Sequence, residues 1–68
     1  MKNVYKSQEN KNGEIIELVQ SPFDSNNFAI LNRTKNEYTC WSDIADRGDA
    51  DRKFDYLVNK NMGDVWNG

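Results

Sequence analysis

Five carboxylates crowd one stretch of the chain: Asp43, Asp46, Asp49, Asp51 and Asp55. Clustered carboxylates serve three kinds of chemistry: proton transfer, cation binding, and electrostatic docking on a basic surface. Catalysis by carboxylates needs a cleft that excludes water, and 68 residues seldom form one. A calcium loop of the EF-hand kind needs ligands at alternate positions and a terminal glutamate, and this spacing has neither. Docking fits better. Asp43, Asp46, Arg47, Asp49, Asp51 and Tyr38 are therefore the candidate partner-binding residues, an acidic and aromatic surface offered to a basic groove. The competing reading is structural. Asp43 and Asp49 then cap short helical turns, and Asp51 and Asp55 lie on a solvated helix face interleaved with Arg47, Arg52 and Lys53.

Other chemistries fail on residue type. Histidine is absent, which removes the commonest general base and the commonest transition-metal ligand. Cys40 is the single cysteine, so neither an intramolecular disulfide nor a cysteine zinc site can be built from one chain. Between Thr39 and Trp41 it reads as a small buried hydrophobe of a reducing compartment. No glycine-rich phosphate loop occurs. The sequence thus gives no catalytic residue, no metal ligand set and no cofactor, and the chain is expected not to be an enzyme. Arg47-Gly48-Asp49 spells an integrin-binding tripeptide, and Asn32-Arg33-Thr34 a glycosylation acceptor. Both need an extracellular setting, and MKNVYKSQENKNG has no apolar core of a secretory signal. No apolar run approaches membrane-spanning length. A cytoplasmic protein that does not touch membranes is expected.

A second candidate surface is aromatic and basic. Tyr5, Tyr38 and Trp41 with Lys6, Arg33 and Lys35 would form a sheet face of the kind that stacks single-stranded bases. The net charge of −2 argues against it.

The elements that must position these residues follow from local signals. Val4–Glu9 reads as a first strand, and Asn12-Gly13 as a two-residue hairpin turn that sets Lys11 opposite Glu14. Glu14–Val19 returns as the second strand. Its pattern Ile15, Ile16, Leu18, Val19 also fits a short amphipathic helix, but the preceding turn favours a strand. Ser21-Pro22 ends it, and Phe23 tucks under the polar loop that follows. Phe28–Arg33 is a third strand, joined by a turn over Thr34–Glu37 to a fourth, Tyr38–Ser42. With Lys35-Asn36 as turn residues, Ile30 faces Trp41 and Leu31 faces Cys40. Gly48 interrupts the acidic run, and Asp49 then caps a helix whose apolar face is Ala50, Phe54, Leu57, Val58 and Asn61. Lys60 falls in its last turn and Gly63 just beyond its end. Asp46 and Asp51 are not capping positions in this reading.

The fold class expected is α+β: one domain over residues 1–68, a small antiparallel sheet of two hairpins with one C-terminal helix on one face. Phe23, Phe28, Trp41, Phe54, Tyr56 and Trp66 supply most of its core volume. A tryptophan as near the end as Trp66 marks a segment that docks on the domain or on a partner. Val4–Glu9 is an open sheet edge, with Lys6 as its guard against pairing.

Asparagine and lysine are frequent, a bias that reflects an AT-rich genome more than a function. A short, slightly acidic chain of this kind resembles the accessory proteins of phages and other mobile elements. No motif carries the likeness, and no family follows from it. The function expected is binding and inhibition or modulation of a larger host protein, such as a defence nuclease. The alternative is a regulator that binds single-stranded nucleic acid. Either would act as a monomer or a homodimer.

Overall fold

The computed structural model describes residues 3–60. Asn10 sets the first turn. Its side-chain oxygen accepts from the N–H groups of Asn12 and Glu14, both at 2.9 Å, and its own N–H donates to the Glu14 carbonyl at 2.7 Å. Gly13 closes the loop at φ 82°, a left-handed conformation that a side chain strains. The loop therefore has three residues, Lys11–Gly13, not the two expected, and the register moves accordingly. Strand β1 (Val4–Glu9) pairs antiparallel with β2 (Ile15–Gln20), with Glu9 opposite Ile15. Lys11 does not face Glu14. The lysine beside Glu14 is Lys35, at 3.5 Å. A bulge at Tyr5 separates the Val4–Val19 and Lys6–Leu18 pairs.

Strand β3 (Phe28–Asn32) pairs antiparallel with β2, and β4 (Glu37–Tyr38) with β3, so the sheet runs β1-β2-β3-β4 in chain order. The strand expected over Tyr38–Ser42 is only two residues long and starts one earlier. Leu31 faces Tyr38, a register two residues from the one expected. The turn spans Arg33–Asn36 instead of Lys35-Asn36: the Asn36 N–H donates to the Arg33 carbonyl at 3.1 Å, with Asn36 at φ 54°. Thr39 then ends β4. Its hydroxyl donates to the Ile30 carbonyl at 3.0 Å and accepts the Trp41 N–H at 3.3 Å, a local alternative to the ladder. The Trp41 carbonyl accepts the Ile30 N–H at 2.9 Å, and Ile44 exchanges both backbone hydrogen bonds with Phe28. Cys40 thus sits on irregular backbone between Thr39 and Trp41, each bonded to Ile30.

Helix α1 (Arg47–Asn59) begins earlier than expected. Asp46, not Asp49, is the N-cap: its carboxylate accepts the Asp49 N–H at 2.8 Å. Gly48 does not break the helix. It lies in the first turn, where an added Cβ would come within 3.2 Å of the capping carboxylate oxygen. Lys60 is the C-cap, its N–H donating to the Tyr56 carbonyl at 2.8 Å. Asn61, Gly63 and Trp66 lie outside the described residues.

Ala50, Phe54 and Val58, one helical face, pack on Ile16, Leu18, Ile30 and Ile44, with Phe28, Trp41 and Leu57 at the margin. Phe54 is 1% exposed and is the largest fully buried side chain among the described residues. The helix runs with its N-terminal end over Phe28 and its C-terminal end over Ile16 and Asn32. Alternation puts Val19, Ala29 and Leu31 on the other sheet face, where they form a separate buried cluster. Of the aromatics expected to fill the core, Phe54 is buried, while Phe28, Trp41 and Tyr56 are half-buried at its margin. Two further side chains depart more strongly. Phe23 is 73% exposed, because the Ser21 hydroxyl takes up the local N–H groups and the ring is left outside. Cys40 is exposed, because it leaves the sheet before it can be covered.

Candidate functional site

The acidic stretch wraps the end of the molecule where α1 begins. Ser21 anchors this end: its buried hydroxyl lies 2.9 Å from both the Ser42 carbonyl and Asp43 Oδ1, donating between them, and accepts the Phe23 N–H at 3.0 Å. Asn27 Nδ2 donates to the same Asp43 oxygen at 2.9 Å. Asp43 thus clamps the loop of residues 21–27 to the segment before α1 and does not cap a turn. Asp24 orders the loop itself by accepting the Asn26 N–H at 2.9 Å.

The five aspartates divide by partner. Asp49 accepts from Lys53 Nζ at 2.8 Å and Arg52 at 3.1 Å. Asp51, expected on a solvated face, lies 3.1 Å from Lys6 Nζ and 3.2 Å from Arg47 Nε, tying α1 to β1. The Lys53 hydrogen bond holds the Asp49 carboxyl below the usual aspartate value, with Arg52 adding to it. The Lys6 hydrogen bond does the same for Asp51, with Arg47 adding to it. These two charges are answered within the chain. The described bonds of Asp24, Asp43 and Asp46 come from neutral donors, an amide or hydroxyl in each case. Their negative charge is left for the outside. Asp55 is exposed on α1.

Beside them stands an aromatic group. Tyr5 meets Phe28 edge-on with ring centroids 5.4 Å apart, and the Arg47 guanidinium lies 5.2 Å from the Tyr5 ring and 5.7 Å from the Phe28 ring. Tyr5 is 39% exposed, and Val4 and Phe23 at the same end are 46% and 73% exposed. Lys6, the expected edge guard, turns inward instead, with Nζ 4.9 Å from the Phe54 ring centroid.

Of the expected partner-binding residues, the structure brings Asp43, Asp46 and Arg47 together at this end. Asp49 and Asp51 are next to them but committed to lysine and arginine. Tyr38 lies apart, opposite Leu31 on the face away from α1. The aromatic and basic sheet face is not assembled. Tyr5 and Trp41 both lie on the α1 side, Trp41 edge-on to Tyr56 at 6.0 Å with Lys53 near its ring, and Tyr38 lies on the other. Arg33 is paired with Glu17 at 2.9 Å and Lys35 with Glu14. Phe23 and Asp24 join the surface without having been expected there, whereas Val4, opposite Val19, lies on the sheet face away from α1. A signal for Phe23 existed: it stands in a loop of Ser, Pro, Asp and Asn with no apolar neighbour to cover it.

A cavity of about 150 Å³ lies at the opposite end of α1, lined by polar Asn10, Asn12, Glu14, Asn32, Thr39 and Lys60 around Ile16 and Leu57. It is smaller than an ordinary ligand pocket. Among the described residues no three His, Cys, Asp or Glu side chains are grouped to hold a metal ion, and no helix is long and apolar enough to cross a membrane. Family models, curated proteins and solved structures give no match for this chain.

Proposed function

We propose that the chain is a non-catalytic binding module that docks on a larger protein through the end of the molecule at which α1 begins. The observation that carries this reading is exposed Phe23 and Tyr5 at the end of the molecule that also bears the carboxylates of Asp24, Asp43 and Asp46, whose described partners are all neutral. Aromatic anchors in apolar pockets supply most of the energy at protein interfaces, and rim charges set the association rate. The matching partner surface has an apolar pocket bordered by lysine or arginine. Inhibition or modulation of a host enzyme, such as a nuclease whose groove carries basic residues, is the role that suits such a surface.

The test uses two variants that keep the fold. Phe23→Ala removes an exposed ring. Asp24→Asn/Asp43→Asn/Asp46→Asn removes charge but keeps an acceptor oxygen at each position, and asparagine caps helices as well as aspartate. Affinity capture from lysate with nuclease present should retain a partner with the natural chain and lose it with Phe23→Ala. The triple variant should bind the purified partner with a slower association rate and a weaker salt dependence. Capture that vanishes on nuclease treatment would transfer the assignment to nucleic acid.

A further inference from the structure

Asn12-Gly13 closes the first hairpin loop at the end of the molecule opposite the docking surface, beside the polar cavity. Asparagine is chemically labile, because the backbone nitrogen of the next residue can attack its carboxamide carbon. Glycine has no side chain to crowd that nitrogen, so an Asn-Gly pair reacts most readily. Among residues 3–60 only Asn12 precedes glycine. The carboxamides of Asn3, Asn10, Asn27, Asn32 and Asn59 are held in hydrogen bonds. That of Asn12 makes none among the described residues, and Asn12 and Gly13 are both exposed. The Gly13 N–H is bonded to the Asn10 carbonyl at 3.2 Å, longer than the 2.9 Å bonds of the Asn12 and Glu14 N–H groups. The attacking nitrogen is thus the most weakly held of the three.

We propose that Asn12 is a self-modifying site: it deamidates through a cyclic imide with Gly13, and the isoaspartyl product unlocks the first hairpin. Hydroxide removes the proton from the Gly13 N–H. The nitrogen bonds to Asn12 Cγ, the bond from Cγ to Nδ2 breaks, and Nδ2 leaves as ammonia with a proton taken from water. Water then opens the ring. Cleavage between Gly13 N and Cγ gives aspartate. Cleavage at the Asn12 main-chain carbonyl gives isoaspartate, whose backbone runs through Cγ. Each product gains a carboxylate, and water is the only reactant consumed. The isoaspartate matters because Asn10 orders the loop by accepting the N–H groups of Asn12, Gly13 and Glu14. An extra backbone carbon between the first of these donors and the other two stops them converging on Asn10. The loop that sets Glu9 opposite Ile15 then has the wrong length. Aspartate keeps the ordinary backbone and leaves the loop intact.

The test incubates the full, folded chain in warm, mildly alkaline buffer and cleaves it after Glu9 and Glu14 at mildly acidic pH. Residues 10–14 are then mapped by mass spectrometry with fragmentation that separates aspartate from isoaspartate. Asn67-Gly68, outside the described residues, falls on another peptide. The amide-to-acid mass gain should localise to Asn12, grow with time and with pH, and include isoaspartate, while Asn10 stays an amide. Residues 10–14 that remain unmodified in the folded chain, or that change at Asn10 before Asn12, would overturn the proposal. Thermal melts read the second half. The purified isoaspartyl form should melt at a lower temperature than Asn12→Asp, which carries the same charge on an ordinary backbone. Equal melting temperatures for these two forms would overturn the proposal as well.

Discussion

At the scale of single residues, the structure assigns one task to each aspartate, and the tasks can be separated. Asp46 caps α1, so Asp46→Ala should lose about 1 kcal/mol of stability while Asp46→Asn keeps it, as chemical denaturation would read. Asp49→Ala should not reproduce the cap defect, because Asp49 contributes its N–H to the cap and its carboxylate to Lys53 and Arg52. The local composition showed that a cap lay in this stretch. It did not show which aspartate, because Gly48 reads as a break from sequence, while in the fold its missing side chain leaves the capping carboxylate its place. Phe54 was legible as core from helical spacing, and Phe54→Ala should cost about 3–5 kcal/mol, enough to unfold a domain of this size. Cys40 was not legible. Its neighbours are those of a buried strand, but the strand stops at Tyr38, so the thiol should react with a disulfide reagent in the native state without unfolding. Protection of that thiol until denaturation would contradict its exposure.

The elements were legible to the extent that their signals are local. Alternation and turn residues gave β1, β2 and β3 to within a residue or two, because outside the bulge at Tyr5 the side chains keep the period-two alternation. The fourth strand and both hairpin registers were not, because they depend on side-chain hydrogen bonds that composition does not rank. Asn10 converts a two-residue turn into a three-residue loop, and Thr39 diverts the chain from the ladder. The candidate surface suffers the same limit: which carboxylates meet cations depends on Lys6 reaching Asp51 across the sheet edge. Gly13 offers the element-scale test. Its φ of 82° should make Gly13→Ala cost about 1–2 kcal/mol, although an added Cβ would have room, with Glu9 Oε2 at 3.7 Å. Gly13→Asn should cost less, since asparagine tolerates this conformation. Equal melting temperatures for the two variants would show that the loop relaxes.

Across the whole molecule, two of the three carboxylates with depressed values join separate parts of the chain, while Asp49 is held within α1. Asp51 links α1 to β1, and Glu14 is held below its ordinary value first by the Asn10 hydrogen bond, with Asn32 and Lys35 adding to it. A carboxyl that ionises more readily folded than unfolded stabilises the fold above its unfolded value and stops doing so as pH falls through its folded value. With ordinary values of 4.5 for Glu14 and 3.8 for Asp49 and Asp51, the melting temperature should hold steady near neutrality and decline below about pH 4.5. Asp51→Asn should flatten that decline. An unchanged pH profile in that variant would remove the Lys6 and Arg47 bridges from the account of acid sensitivity.

The coincidence of strand order with chain order bears on how fast this protein is made. Each strand pairs with the one synthesised just before it, and the helix closes last on a surface already assembled. Loop closure therefore stays short until the final step, which favours rapid collapse by successive zipping. The first hairpin can form as soon as residue 20 is free to move. Strain placed in its turn at Gly13 should slow refolding, whereas loss of the Asp46 cap, if α1 docks after the rate-limiting step, should chiefly hasten unfolding.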